Sequence, residues 1–287
     1  MGKKRMYTFD YINYCILTLL MISTLLPFLY IVIVSFMRDT MNIRFQSINI
    51  NNLSIAAYKR VFESKFIVSG ARMSVMRTLL GVAFTLFCTI MTAYPLSKKR
   101  LPGRLIYTSI MVFTMFFSGG LIPTYILIKN LKLLDTIWSL VLPGLISTYN
   151  MLLMRNFFMA IPESLEESAK LDGANDFIIL FRIILPVSVP IIATVALWTA
   201  VGHWNAWFDC MIYITESSKL VLQVVLRRIV LEGSLEMMEY DSPEGVASNL
   251  EAIKSATVVV TTVPIIMVYP FVQKYFIQGI MLGSLKG

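Results

Sequence analysis

The stretch richest in residues that could do more than pack is Ile161–Pro190, IPESLEESAKLDGANDFIILFRIILPVSVP. It reads as two short helices joined by a glycine turn. Ser164 followed by Glu167 has the spacing of a capping box, in which each side chain satisfies a free backbone N–H, so a helix is expected to start there. Leu165 and Ala169 then fall one turn apart and offer a small apolar face. Gly173 should stop that helix, because glycine enters the left-handed region without a Cβ clash. Asn175 is placed to cap a second helix, with Asp176 near its positive end. Pro186 and Pro190 fall where the donors of a first helical turn are unpaired anyway. A short rigid helix with a charged rim suits a lever that moves larger elements as rigid bodies. The same residues also suit a solvated charged loop with two incidental turns.

The remaining candidates lie inside apolar stretches. Thr194, Trp198, Gly202, Asn205 and Asp209 are spaced by four, four, three and four, which puts them on one helical stripe. Aromatic surface mixed with hydrogen-bonding groups suits sugars, whose ring faces stack while their hydroxyls need partners. Pro143, Ser147 and Asn150 share a face by the same arithmetic, and Pro143 is expected to kink its helix. Helix packing is the competing use, with Gly202 allowing close approach and Asn205 bonding between helices. Trp204 and Trp207 suit interfacial anchors equally well. His203 is the only histidine and has no companion for a metal or a triad, so a structural role is expected. Cys15, Cys88 and Cys210 have neither metal nor disulfide spacing. We therefore expect no catalytic residue and no metal site. No G-x-x-x-x-G-K-[ST] run occurs, so any ATP must be bound by another chain.

The elements that must position these residues are set by composition. Of 287 residues 57% are hydrophobic and 15% charged, with mean hydropathy +0.72; a soluble domain is nearer a quarter charged. The apolar residues form blocks of roughly 20 residues or more, long enough to cross a bilayer as helices. Backbone groups must pair internally in lipid, so the blocks must be helical. The expected fold is all-α, a single transmembrane domain over 1–287. Its six membrane helices lie at about 11–37, 73–97, 105–128, 136–158, 183–214 and 252–276, with a loop at 161–182. The first block is too long for a signal peptide and lacks an A-x-A site. The net charge of +8 sits in loops between blocks, beside anionic headgroups, which argues against nucleic acid. Lys3, Lys4 and Arg5, with Lys98, Lys99, Arg100 and Arg104, place the N-terminus and the loop after the second block in the cytoplasm. An even helix count puts the C-terminus there too.

Glu167-Ser168-Ala169, three residues, Gly173, nine residues and Ile183-Ile184-Leu185-Pro186 resemble the EAA loop of ATP-binding-cassette importer permeases. Ser168 replaces the first alanine, a small-for-small change. The resemblance covers nearly the whole chain and is nearest the maltose-permease-like branch, in particular the complex-oligosaccharide permeases of Gram-positive bacteria. Residues 92–97, 117–125, 203–209, 222–227 and 279–287 also carry it. The resemblance implies a type I importer permease that works by alternating access in the cytoplasmic membrane. Its partners would be a second homologous permease, two ATPase subunits holding ATP and magnesium, and an extracellular solute-binding lipoprotein delivering an oligosaccharide. Glu167, Ser168, Ala169, Asp172, Gly173 and Ala174 would couple to an ATPase. Gly283, Ser284 and Lys286 in the tail would reach between the ATPases. Ser147, Asn150, Trp198, Asn205 and Asp209 would line the pathway. The sugar is expected to be an oligosaccharide, of a plant or algal uronate-containing kind. A secondary transporter driven by an ion gradient would need intramembrane carboxylates or repeated broken helices, and Asp209 is the lone carboxylate within a block. An intramembrane enzyme would need a nucleophile–base pair or a metal cluster, which the sequence lacks.

Overall fold

The structure, a computed structural model, describes residues 8–38, 40, 52–231 and 250–284. Among them the regular elements are helices, and Met37 and Leu53 form an isolated antiparallel bridge. In chain order the helices are α1 (Thr8–Ser35), α2 (Ala56–Glu63), α3 (Lys65–Ser97), α4 (Arg104–Phe116), α5 (Leu121–Asn130), α6 (Trp138–Val141) and α7 (Thr148–Met159). Next come α8 (Glu163–Leu171), α9 (Asp176–Ile179), α10 (Leu185–Val187), α11 (Val189–Asn205), α12 (Phe208–Tyr213), α13 (Leu222–Leu231) and α14 (Leu250–Ser284). Lys3, Lys4, Arg5 and Lys286 lie outside the described residues.

The chain divides into two compact units, Met1–Val68 with Leu226–Val263, and Ser69–Val225 with Pro264–Gly287. In the first unit α1 exposes apolar side chains along nearly its whole length, with only Val34 and Ser35 buried. That is the surface a helix presents to lipid rather than to water. At its end the Ser35 hydroxyl lies 2.7 Å from the Tyr58 hydroxyl, and the Phe36 ring packs on Tyr58. Ser54 N–H donates to Phe36 O at 2.7 Å, which fixes the approach to α2 against the end of α1.

By length and composition, three described helices can cross a membrane: Thr8–Ser35, Lys65–Ser97 and Leu250–Met267 within α14. Two bent pairs raise the number to five if each is one span. The expected third helix, 105–128, is broken between α4 and α5 by a 111° bend. Gly120 there has φ 85° and ψ 176°, a conformation open essentially to glycine alone. The expected fourth helix, 136–158, is also divided. It consists of α6, a 3-10 turn at Leu142–Gly144 that contains Pro143, and α7, whose start is capped by Ser147. The expected fifth helix, 183–214, is cut twice. A π-helical turn at Leu180–Ile184 leads into α10, an 81° bend precedes α11, and the chain opens again at Ala206 and Trp207 before α12. Pro186 and Pro190 remove donors on either side of that bend.

In the second unit the core joins the loop segment to the membrane helices. Ala169 of α8, Ile179 of α9, and Leu180 and Ile184 of the π turn pack with Ala93 and Tyr94 of α3. Met151, Met154 and Phe158 of α7 and Ile191 and Val195 of α11 complete the cluster. Taking a large apolar side chain out of water contributes on the order of 1.5–3 kcal/mol. The short helices are therefore held by packing, because their length alone could not sustain them.

Candidate functional site

The loop segment forms as two helices around a glycine. α8 ends in a Schellman arrangement: Ala174 N–H donates to Ala169 O at 2.9 Å and Gly173 N–H to Lys170 O at 3.0 Å. Gly173 takes φ +82°, as expected, and a Cβ built on it would meet nothing within 4 Å. Its requirement is conformational rather than one of crowding. Asn175 caps α9 as expected, its Oδ1 accepting from Ile178 N–H at 2.8 Å. The capping box at Ser164 is not formed. α8 already begins at Glu163, with Pro162 at the cap position and no side-chain cap.

Ala174 is half-buried against the core, whereas Glu167, Ser168, Asp172 and Gly173 are exposed and share an accessible rim. Ala169 does not share it: its side chain is turned into the chain's own core. Its small size serves internal packing. Leu171 is 90% exposed and Phe177 63% exposed, two large apolar side chains that no spacing rule singles out. Glu163 is bound by Lys99 at 2.9 Å. The hydrogen bond and charge of that ammonium hold its carboxyl below the ordinary value.

The second feature is a cavity of about 390 Å³ in the second unit. Ser147, Asn150, Trp198 and Asp209 all line it, brought together from α7, its cap, α11 and α12. Asn205 is not among the lining residues; it is exposed beside the α11–α12 break. Thr194, Trp198, Gly202 and Asn205 stay on one unbroken helix, α11, and Asn205 borders an adjoining hollow with Gly202 and Asp209; only Asp209 falls beyond the break at Ala206 and Trp207, on α12. Among the described residues nothing approaches Gly202 closely, since a Cβ there would meet nothing within 4 Å. Gly81 is a close-approach site: a Cβ there would collide with the His203 ring. Trp204 is buried, and Trp207 packs edge-on against Phe208.

Arg77 of α3 escapes the spacing arguments, yet it organises the cavity wall. It is 2% exposed. Its guanidinium makes a two-pronged ion pair with the Asp209 carboxylate, one prong at 3.1 Å. It also donates to Ala206 O at 3.2 Å and to His203 Nδ1 at 3.4 Å. A helix break inside a membrane leaves carbonyls unpaired, and Arg77 satisfies one of them. The signal for it in the sequence is an arginine inside an apolar block. Thr85 and Thr199 also line the cavity, and their hydroxyl oxygens are buried without a hydrogen-bond partner among the described residues. The Trp198 ring lies 6.0 Å from that of Tyr149, and Trp198 is 39% exposed. Gly283 and Ser284 lie at the end of α14. Among the described residues no group of three or more metal-binding side chains occurs.

Residues 85–282 match the family model described as "Binding-protein-dependent transport system inner membrane component". The chain is 42% identical over 265 residues to Protein LplC of Bacillus subtilis, covering 92% of this chain and 90% of that one. It is 40% identical over 286 residues to the polygalacturonan/rhamnogalacturonan transport system permease protein YtcP of the same organism, covering 97% and 98%. Among solved structures, it is similar to a chain of a bacterial ABC transporter involved in the import of the acidic polysaccharide alginate. That similarity has a TM-score of 0.87 and 30% identity, over 95% of this chain and all of the other.

Proposed function

The chain belongs to the family of binding-protein-dependent transport system inner membrane components, and from this we propose that it carries a uronate-containing oligosaccharide across the cytoplasmic membrane. It is a permease subunit of an ATP-binding-cassette importer and not itself an enzyme. The observation that carries the substrate reading is similarity over nearly the whole chain to an importer of an acidic polysaccharide and to a polygalacturonan permease. The cavity supports it, offering the Trp198 ring, the amide of Asn150 and the hydroxyl of Ser147. Ligand sites combine apolar faces with a few placed hydrogen-bonding groups in this way.

A second homologous permease completes the pathway. Each permease sets its α8 segment on one of two cytoplasmic ATPase subunits, which hold ATP and magnesium. A solute-binding lipoprotein delivers the sugar from outside. Both termini then lie in the cytoplasm. Within the segment the exposed rim of Glu167, Ser168, Asp172 and Gly173 meets the ATPase, while Ala169 anchors the helix to the membrane core. Closure of the ATPase pair moves α8 and α9, and with them the helices they pack on.

The test is reconstitution of the whole importer in proteoliposomes. Uptake of a galacturonate or alginate oligosaccharide should require ATP, magnesium and the binding protein, and exceed uptake of a neutral oligosaccharide of equal length. Equal or faster uptake of the neutral sugar would overturn the uronate reading. ATP hydrolysis by this chain alone would overturn the division of labour.

A further inference from the structure

The coupling segment and the cavity wall are tied to the same helix. Near one end of α3, Lys98 comes after the last helical residue and keeps its turn through Lys98 N–H to Pro95 O at 3.0 Å. Its ammonium pairs with the Glu166 carboxylate of α8 and lies 4.2 Å from the centre of the Tyr94 ring. Tyr94 packs edge-on against Phe158 of α7. The Lys98 and Glu166 side chains are only 25% and 12% exposed. This pair is poorly screened by solvent, whereas neighbouring Lys99–Glu163, at 76% and 70% exposed, is a surface pair of little strength.

The other tie is Arg77, bound to Asp209, Ala206 and His203. Residues 77 and 98 are 21 positions apart, about 31 Å along a continuous helix. A packed helix moves as a rigid body over that length, so displacement at one end reaches the other.

We propose that α3 is a transmission rod in which Lys98, through Glu166, is a positioning residue that passes motion of the coupling segment to the Arg77–Asp209 wall of the cavity. This rests on α8 being the segment that engages the ATPase. The rod differs from the direct chain path through α9, the π turn and α10, which is bent by 81° before α11. Loosening Lys98 from Glu166 leaves the exposed rim of α8 free to engage its ATPase. Hydrolysis then continues while the cavity wall responds less.

The test compares Lys98→Glu, Glu166→Lys and the double swap in the reconstituted importer, measuring sugar imported per ATP hydrolysed. Each single variant should lower that ratio by about tenfold, and the swap should restore most of it, as coupled pairs do. An unchanged ratio in the single variants overturns the proposal, whatever happens to either rate alone. Loss of the ATPase subunits during purification also overturns it, because the pair would then belong to docking. Should the single variants fail to insert, the swap decides: a wild-type ratio supports the rod and a lowered one overturns it. Gly173→Val, scored by ATPase retention, tests the coupling role of α8 separately, so failure of one leaves the other standing.

Discussion

The two-helix segment around Gly173 and the cavity wall are built in different ways. Between Glu163 and Ile184 the helix ends are made by residues close in sequence, a glycine end and an asparagine cap, and distant elements add the burial of Ala169 and the Lys98–Glu166 pair. Around the cavity each feature depends on residues far apart. Arg77 meets His203, Ala206 and Asp209 from 126 to 132 positions away. The first region should therefore fail locally when mutated, and the second should fail through its partners.

The largest effect is expected at Arg77. Arg77→Met leaves Asp209 without its counter-charge at a broken helix, a loss of about 3 kcal/mol, the low end for a buried pair because Asp209 still reaches the cavity. Thermal unfolding in detergent should show it. Arg77→Met combined with Asp209→Leu should recover much of the stability, because no charge is then left unpaired, yet remain defective in uptake. If the double variant is as unstable as the single one, the wall does not depend on pairing and the contrast between the regions fails.

Gly173→Val comes next. Forcing a side chain to positive φ costs roughly 1–2 kcal/mol, and the space around Gly173 is open, so the cost falls on the turn alone. The protein should insert and pair with its partner permease while losing ATPase subunits in detergent, or losing uptake and stimulated hydrolysis together. Normal transport with full ATPase retention would remove the coupling role.

Trp198→Ala should raise the sugar concentration for half-maximal uptake about tenfold, the scale of losing one well-placed aromatic contact. Assembly should be intact, since Trp198 is partly exposed to the cavity. Failure to assemble would instead make it a packing residue.

The smallest effect concerns Asp135, in the loop between α5 and α6. It holds φ 55° and accepts from Thr215 N–H at 2.6 Å and Glu216 N–H at 3.0 Å. Those backbone bonds, that to Glu216 first, hold its carboxyl below the ordinary value. A depressed folded pKa means the bonds contribute stability above the ordinary carboxylate pKa, about 3.9, and lose it as pH falls through the lowered value. Hydrogen exchange at Thr215 and Glu216, taken relative to the intrinsic amide rate at each pH, should stay slow at pH of about 5 and quicken only in stronger acid. Asp135→Ala should make it fast throughout.

Features made by neighbours in sequence are legible there, and features made by distant partners are not. Gly173 and Asn175 can be read because a helix end and a cap involve residues within one turn. Ser164 misleads because its spacing fits a cap, whereas the helix has already started behind Pro162. The stripe from Thr194 to Asp209 assumes an unbroken helix, which holds as far as Asn205, but the opening at Ala206 and Trp207 puts Asp209 on α12. No proline or glycine pair marks that opening in the sequence. Arg77 hides among apolar residues, although a buried cation there must find a partner.

By itself the sequence determined that the chain is helical and apolar enough for a membrane, that it has no phosphate loop, and that a two-helix segment turns at Gly173. Hydropathy, helix ends and caps are properties of residues within a turn or two of each other. Only the tertiary structure decided where the membrane helices break, that Ala169 faces inward, and that Arg77 secures the cavity wall. Those outcomes depend on which distant groups are available to satisfy an unpaired charge or carbonyl once water is gone.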